Sequence, residues 1–170
     1  KNKILNSGNI GNDKFLSKII NDIRNPKWNS YRCKLLRIKC CKLDYVDWTP
    51  TLEHGYVNDN YAKLLEQYQA VIAADSYTPV QKYWEIPAAG CLTFMEVTEE
   101  NDGKHIGFID GENCVFINES NYIKKFEEYL KTSDDPKWEK IASAGRKFAL
   151  QNFNNDKAVN ELADLFSELK

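Results

Sequence analysis

The sequence has no long hydrophobic run and no cysteine or histidine framework, and each shortage excludes a class of protein. No apolar stretch approaches the roughly 20 residues that a membrane-spanning helix requires, and no charged-then-apolar leader is evident. Its five cysteines are an odd number without C-x-x-C spacing, and only two histidines accompany them. This composition argues against both a disulfide framework and a zinc site. We therefore expect a cytoplasmic protein with reduced thiols.

What is present fits a folded globular domain. The 170 residues are 42% hydrophobic and 12% aromatic, which is enough apolar material for a sizeable core and argues against disorder. We expect one domain over 1–170. Within it, 1–42 is a basic segment that includes a candidate helical insertion, 43–118 is the core, and 119–170 is helical.

The net charge of −2 conceals an uneven distribution. Residues 1–42 contain eleven Lys and Arg against two Asp, a charge of +9, whereas the remainder carries −11. Such a basic segment suits an anionic membrane surface, a polyanionic acceptor or an acidic partner domain, although a solvated helix surface explains it equally well. Nucleic acid is a poorer match, because Trp28 and Tyr31 are too few to form a stacking platform.

The most informative stretch is SYTPVQKYWEIPAAGCL, over 76–92, which predicts a helix that follows a buried strand. Residues 70–74 are short and apolar, as expected for a strand buried on both faces. Thr78 and Pro79 suit the N-cap and the first helical position, and Gln81 completes a capping box. The helix is therefore expected to open just beyond the end of the strand.

The same stretch predicts a parallel crossover with an anion site at the start of its helix. Gly90 ends the helix and 91–95 form the next strand. Unpaired N–H groups at a helix start favour anions, phosphates above all. Lys82 can meet a phosphate as a point charge, and Glu85, on the same face, can accept hydrogen bonds from sugar hydroxyls. Spacing alone favours a plainer interpretation, an exposed salt bridge worth well under about 1 kcal/mol.

Hydrophobic periodicity and turn signals predict the other elements. Strands are expected over 3–6, 43–48 and 114–117, and helices over 15–23, 29–42, 60–68, 137–152, 156–169 and a segment that ends near 131. The first strand breaks at Ser7-Gly8, a turn that can bring backbone close to a ligand. It is not the G-x-G-x-x-G dinucleotide fingerprint, and a plain strand-to-helix turn is the simpler interpretation.

Several segments together resemble one family. The run HGYVNDNYAKLLEQYQAVIAADSYTPVQKYWEIPAAGCLTF, the later FIDGENCVFI and the tail IASAGRKFALQNF look like the C-terminal domain of CgeB-like (spore maturation protein) glycosyltransferases. The similarity runs from about Tyr31 to the C-terminus, and KYWEIPAAG is its most specific part. These enzymes belong to the GT-B group (glycosyl transferases group 1), whose C-terminal Rossmann-like domain binds a nucleotide-sugar donor.

The resemblance implies an α/β fold, a Rossmann-like parallel sheet of about five strands flanked by helices, which is the C-terminal half of a GT-B enzyme. Glu85 stands where retaining GT-B enzymes have the second of two glutamates, the one that binds the donor ribose. The first falls on Tyr77, as in the CgeB-like branch, so a mechanism that uses an acid there is not carried over.

The resemblance also implies the remaining site residues. Ser7-Gly8 resembles the end of the first strand of the nucleotide domain, and His54-Gly55 lies in a loop that lines the base end of the pocket. The candidate nucleotide-sugar-binding residues are Ser7, Gly8, His54, Gly55, Tyr77, Thr78, Pro79, Val80, Gln81, Lys82 and Glu85. Of these, Glu85 and Lys82 are the catalytic candidates. We expect preorganised donors to stabilise the leaving diphosphate with no obligatory metal or other cofactor, and the sequence has no D-x-D motif.

The expected partners are a nucleotide sugar, an unknown acceptor and a missing N-terminal GT-B domain that supplies most of the acceptor site. Alone, the chain is expected to bind donor weakly and transfer little. The alternative is a non-catalytic α/β nucleotide-binding or protein-interaction module, which Tyr77 in place of an acid favours. A receiver-like signalling domain would need acids at the ends of the first strands, where Asn6-Ser7-Gly8 offers none.

Overall fold

The computed structural model describes residues 3–9, 14–27, 29, 31–49 and 59–168. Its strands are β1 (Ile4–Asn6), β2 (Val46–Trp48), β3 (Ala70–Ala73), β4 (Leu92–Glu96) and β5 (Val115–Ile117). They form one sheet in the order β2-β1-β3-β4-β5, and every neighbouring pair is parallel. The predicted five-stranded parallel sheet is confirmed.

Helices connect and follow the strands. The α-helices are α1 (Phe15–Arg24), α2 (Leu35–Cys40), α3 (Asp59–Leu65), α4 (Lys82–Ala88), α5 (Tyr122–Lys131), α6 (Pro136–Asn152) and α7 (Asn155–Glu168). Two 3₁₀ turns, Arg32–Lys34 and Gly103–Ile106, complete the described elements. The helix predicted over 29–42 is shorter than expected, because its first turn is the 3₁₀ segment that the Asn29 side chain caps by accepting from the amides of Tyr31 and Arg32.

The sheet is buried on both faces, as the apolar run of β3 predicts. Every residue of β3 is fully buried, and its alternate side chains enter two separate clusters. One cluster places Ile72 with residues of α2, α5 and α6, and the other places Val71 with Tyr83 and Ile86 of α4. Burial of these side chains is the main stabilising term, at roughly 1.5–3 kcal/mol for each large apolar residue.

The two clusters show that α2 and α4 cover opposite faces of the sheet. Leu36 and Cys40 of α2 belong to the cluster of Ile4 and Ile72, whereas α4 belongs to the other cluster. The chain therefore leaves β1 toward one face and β3 toward the other. In a sheet of this order the crevice between the carboxyl ends of β1 and β3 is the topological switch point, where open α/β sheets bind ligands.

The start of α4 differs from the sequence prediction. The helix begins at Lys82, and Thr78 is not its N-cap. The carboxylate of Asp75, which follows β3, accepts hydrogen bonds from the amides of Tyr77 and Thr78 at 3.1 and 3.2 Å. This Asx turn takes the place of the predicted capping box, since an Asp side chain can satisfy amides two and three residues ahead. The α4 end falls two residues before Gly90, which has the positive φ of +90° expected of a helix stop.

Close packing of α6 against the loop before β5 makes one glycine essential. A Cβ at Gly145 would overlap the carbonyl oxygen of Asn113 and also approach Pro87 of α4 at 3.5 Å. We therefore expect Gly145→Ala to lower the free energy of unfolding by about 1–3 kcal/mol, the usual cost of overpacking. Urea denaturation measures this change. Ser143→Ala, at an exposed position of the same helix, is the control, and equal stability of the two variants would contradict the packing of α6.

Candidate functional site

The loop after β1 forms the floor of the switch-point crevice. Ser7 and Gly8 are both buried, and Gly8 has a positive φ of +88°. The amide of Gly8 donates to Oγ1 of Thr49 at 2.7 Å, which ties this loop to the residue after β2. The hydroxyl groups of Ser7 and Tyr61 share a hydrogen bond of 3.2 Å. Thr49, which follows β2, and Tyr61 of α3 therefore hold the loop after β1 in place.

Arg37 enters the crevice from α2 and organises the loop. Its side chain is buried, and Nε donates to Oδ1 of Asn6 at 2.9 Å while the Asn6 amide donates back to the Arg37 carbonyl at 3.0 Å. The two terminal nitrogens donate to the carbonyl oxygens of Ser7, Gly8 and Asn9. The guanidinium group thus holds the carbonyl oxygens of one turn around a single positive charge.

In the part of the chain that the structure describes, Asp75 and Glu96 act on Arg37 only as nearby charges and form no ion pair with it. None of the ion pairs within 4.0 Å includes it, and burial lowers its pKa. A buried charge that contacts only neutral dipoles is incompletely compensated. The site is therefore electrostatically ready to accept an anion.

Lys82 brings a second cation to the same loop from the opposite face of the sheet. It is the first residue of α4, and its Nζ donates to the carbonyl oxygen of Ser7. Burial, together with the nearby positive charge of Arg37, lowers the pKa of Lys82 to about 7, although Glu85 acts in the other direction. Glycine at position 8 suits both the positive φ and this close approach, because a Cβ there would be strained and would lie 2.6 Å from Nζ of Lys82.

Glu85 lies one turn further along α4, on its exposed side. Desolvation raises the pKa of its carboxyl group, and the positive charge of Lys82 partly offsets this. The exposed salt bridge that spacing alone favours does not form, since Lys82 turns to Ser7 and no Lys82–Glu85 pair lies within 4.0 Å. The Glu85 carboxylate thus stays on the exposed side of α4, close enough to Lys82 and Tyr61 for the charges to interact.

The structure brings together part of the predicted site and adds residues that sequence reasoning missed. Ser7, Gly8 and Lys82 meet at the crevice, and 77–81 form the loop that leads into α4. His54 and Gly55 lie outside the described residues, so their roles stay predictions. The missed contributors are Arg37, Thr49 and Tyr61. The sequence signals for Arg37 and Tyr61 are weak. Arg37 is a charged residue between Leu36 and Ile38, and Tyr61 fits the apolar stripe of α3, which draws attention away from its hydroxyl group.

No metal-binding cluster is present among the residues that the structure describes: no three His, Cys, Asp or Glu side chains are placed to hold an ion. None of the five cysteines forms a disulfide, and Cys40, Cys91 and Cys114 are buried.

A parallel sheet of this strand order, with cations converging at its switch point, defines the class of Rossmann-like ligand-binding α/β domains. The particular family follows from comparison of sequences: the chain belongs to the glycosyl transferase-like family, whose model matches residues 15–164. A comparison with curated proteins gave no match.

Solved structures of GT-B glycosyltransferases share the fold. Sucrose-phosphate synthase from Thermosynechococcus elongatus is similar over 98% of this chain and 45% of its own, with 15% identity and a TM-score of 0.62. The C-terminal domain of the group 1 glycosyl transferase LpcC from Francisella tularensis is similar over 90% of this chain and 87% of its own, with 13% identity and a TM-score of 0.56. This chain therefore spans less than half the length of the synthase and nearly all of an isolated C-terminal domain.

A third similar structure is the pneumococcal O-GlcNAc transferase GtfA, determined in complex with UDP and GlcNAc. It is similar over 98% of this chain and 35% of its own, with 10% identity and a TM-score of 0.53.

The depressed pKa of Lys82 predicts a pH dependence of stability. With a folded-state pKa of about 7 against an ordinary 10.5, the unfolded state binds more protons between these values, so stability rises with pH across that window. We expect the wild type to gain up to about 1.4 kcal/mol per pH unit relative to Lys82→Met between pH 7 and 9. Urea denaturation at several pH values measures the difference.

Lys63→Met, an exposed lysine of α3, is the matched control for the loss of an ammonium group. Its free energy of unfolding should change with pH as that of the wild type does. If the free energy of unfolding of Lys82→Met also changed with pH as that of the wild type does, this lysine would not be desolvated in the folded state.

Proposed function

We propose that this chain is the donor-binding half of a GT-B glycosyltransferase of the CgeB-like branch, and that it binds a nucleoside-diphosphate sugar. The observation that carries the proposal is the pair of cations, Arg37 and Lys82, which reach one loop from opposite faces of the sheet and form no ion pair with any described residue. A diphosphate supplies the missing negative charge and several acceptor oxygens in one group.

The diphosphate takes the position beside the Ser7-Gly8 turn. Lys82 and Arg37 now donate to the carbonyls of this turn, and phosphate oxygens are stronger acceptors because they are charged. An anion at this position also offsets the repulsion between the two cations, which raises the pKa of Lys82 back toward its ordinary value. The backbone of 77–81 contributes less than the sequence predicts, since the Asp75 carboxylate already engages two of its amides.

Glu85 holds the two ribose hydroxyls, and His54 with Gly55 lines the base end of the pocket. Glu85 suits its role because its carboxylate is exposed, one helical turn from Lys82, and near the hydroxyl group of Tyr61. Tyr61 adds a hydroxyl group beside Ser7. The pneumococcal transferase of similar fold was solved with UDP and GlcNAc, which supports a donor of this chemical class.

In glycosyl transfer the bond from the sugar to the diphosphate breaks, and negative charge develops on the leaving diphosphate. Lys82 and Arg37 stabilise that charge from preorganised positions, so no metal is required for this role. The missing N-terminal domain supplies most of the acceptor site and any general base. The isolated chain should therefore bind donor weakly and transfer little.

A calorimetric and thermal-shift screen against UDP, GDP, ADP, CMP, dTDP and their sugar conjugates tests the proposal. One nucleoside diphosphate should raise the melting temperature. Glu85→Gln should weaken its binding by about 1–3 kcal/mol through loss of a charge-assisted hydrogen bond. At pH 8 binding should take up protons, because the diphosphate recharges Lys82, and calorimetry in buffers of different ionisation enthalpy measures this uptake.

The variant Lys82→Met should bind more weakly and without proton uptake, whereas Lys63→Met should behave as the wild type. Unchanged affinity in Glu85→Gln would remove Glu85 from the site. No binding of any nucleotide by folded protein would favour the protein-interaction module. Binding without transfer in the reassembled two-domain enzyme would favour a non-catalytic nucleotide-binding module.

We also propose that α1 docks on an anionic membrane surface, so that the enzyme is peripheral to a membrane. None of the described helices combines the length and the apolar character of a membrane span. The α1 helix nevertheless exposes a stripe of large apolar side chains, Phe15, Leu16, Ile19, Ile20 and Ile23, at 41–77%.

The orientation of α1 supports this surface role. Its polar side faces the domain, where Asp22 pairs with Arg32 at 3.1 Å and Lys18 lies 4.3 Å from the centre of the Tyr31 ring. The apolar stripe consequently faces outward on a helix whose own charges, counted with its N-cap Lys14, are Lys18, Arg24 and Asp22, a net positive set. A helix with an outward apolar stripe and a basic surrounding is suited to the interface of an anionic bilayer.

Sedimentation with vesicles tests the membrane proposal. The protein should bind phosphatidylglycerol-containing vesicles but not phosphatidylcholine vesicles, and added salt should release it. Ile23→Asp should abolish binding. The matched control is Val159→Asp on α7, a helix that also exposes apolar residues but carries four acids and one lysine. Binding that is absent or insensitive to salt would leave α1 as a contact for the missing domain or a solvated surface.

A further inference from the structure

A second cavity opens at the same edge of the sheet, beyond the ends of β4 and β5. Its volume is about 1220 Å³. It is lined by residues after β3, by the ends of β4 and β5 and the residues that follow them, by Asp22 on the polar side of α1, and by residues of both 3₁₀ turns. Ser76 and Tyr77 form the wall nearest the Arg37–Lys82 crevice. None of the cationic residues of that crevice lines this cavity.

Glu96 is the chemically unusual residue of the cavity. It is the last residue of β4 and only 1% exposed. Oε1 accepts a hydrogen bond from Oγ of Ser76 at 3.0 Å, whereas Oε2 is buried and has no hydrogen-bond partner in the described part of the chain. A buried carboxylate oxygen without a donor is rare in native proteins, and a ligand is one of its ordinary explanations.

The neighbouring polar groups are satisfied, so the lone oxygen is not a consequence of loose packing. The main-chain carbonyl of Glu96 accepts from the hydroxyl of Tyr83 at 2.6 Å and from the amide of Asn101 at 3.0 Å. The hydroxyl of Thr98 donates to the carbonyl of Ser76 at 2.7 Å. The loop is held firmly around a carboxylate that keeps one acceptor free.

The charge of the cavity selects the sign of the ligand. Seven acids line it against two basic residues, Arg32 and Lys104. Three of the acids, Glu96, Glu99 and Glu100, form no ion pair with any described residue. Since no three acidic, His or Cys side chains of the described residues are placed to hold a metal, the cation expected here is organic.

We propose that this cavity is a second ligand site that binds the primary ammonium group of a small polyhydroxylated molecule, such as an amino polyol or amino sugar, on Oε2 of Glu96. An ammonium group supplies the missing donor and gains from the surrounding negative charge, whereas a hydroxyl group supplies only the donor. Neutral polar side chains of the lining, among them Asn118, Ser120 and Asn121, are suited to hydroxyls of the same molecule. The inference is independent of nucleotide binding at Arg37 and Lys82.

Titration of Glu96 gives the site a signature. Burial, opposed by the Ser76 hydrogen bond, raises the pKa of Glu96 to about 7. The charged and titratable groups that face it are Asp75, Glu119, Arg37, Cys40 and Tyr83. An ammonium ligand binds the ionised carboxylate, so its affinity should rise by up to about tenfold between pH 6 and pH 8 as Glu96 loses its proton.

The test compares D-glucamine with D-sorbitol, which carries a hydroxyl group in place of the ammonium group. Glucamine stays protonated across the range because alkylamines titrate near 10. In NMR titrations at 150 mM NaCl, glucamine should shift the amides of Ser76, Tyr77 and Asn101, more strongly at pH 8 than at pH 6, and sorbitol should not. Glu96→Gln should weaken glucamine binding by about tenfold or more and remove the pH dependence. Glu139→Gln, at an exposed position of α6, is the matched control and should bind as the wild type.

Equal binding of sorbitol, the same affinity at pH 6 and pH 8, or shifts centred on Ser7 and Lys82 would each overturn the proposal. So would undiminished binding by folded Glu96→Gln. If that variant does not fold, the pH series on the wild type still decides, because it needs no substitution.

Discussion

The structure depends on one buried guanidinium. Arg37 joins α2 to the carboxyl end of β1 through its reciprocal hydrogen bonds with Asn6, and it draws together the carbonyls of the turn that follows. Without this cation the turn would have to present those carbonyls to the crevice. Because the group that organises the loop is itself positively charged, the fold and the electrostatic character of the site have the same cause. Burial of the second cation, Lys82, together with the field that Arg37 has already established, lowers its pKa to about 7.

The edge of the sheet carries two environments of opposite sign. The crevice between β1 and β3 is cationic, whereas the charged residues that line the cavity beyond β4 and β5 are mainly acids. The segment 75–81 separates them and is itself held by Asp75, whose carboxylate accepts from two of its amides. This chain, a member of the glycosyl transferase-like family, carries both environments on one domain.

Much of the fold follows from local patterns. The apolar run of β3 and the periodicities of α5, α6 and α7 predict their elements to within a few residues, because burial and helical spacing leave direct traces in a single sequence. The predicted start of α4 is wrong, because the Asp75 carboxylate holds the amides of Tyr77 and Thr78 in an Asx turn and the helix begins only at Lys82. The helix predicted over 29–42 is too long, because hydrophobic periodicity does not distinguish an α-helix from the 3₁₀ turn that Asn29 caps.

The sequence by itself determined the fold class, the parallel crossover around 76–92, and Lys82 and Glu85 as candidate site residues, because each depends on neighbours along the chain. Only the tertiary structure decided that Arg37 lies in the site, that Lys82 turns to Ser7 and away from Glu85, and that Glu96 keeps a buried oxygen without a donor. These features join residues 20 to 75 positions apart. Their energies come from burial and from charges brought together by the sheet order, and neither can be read from spacing along the chain.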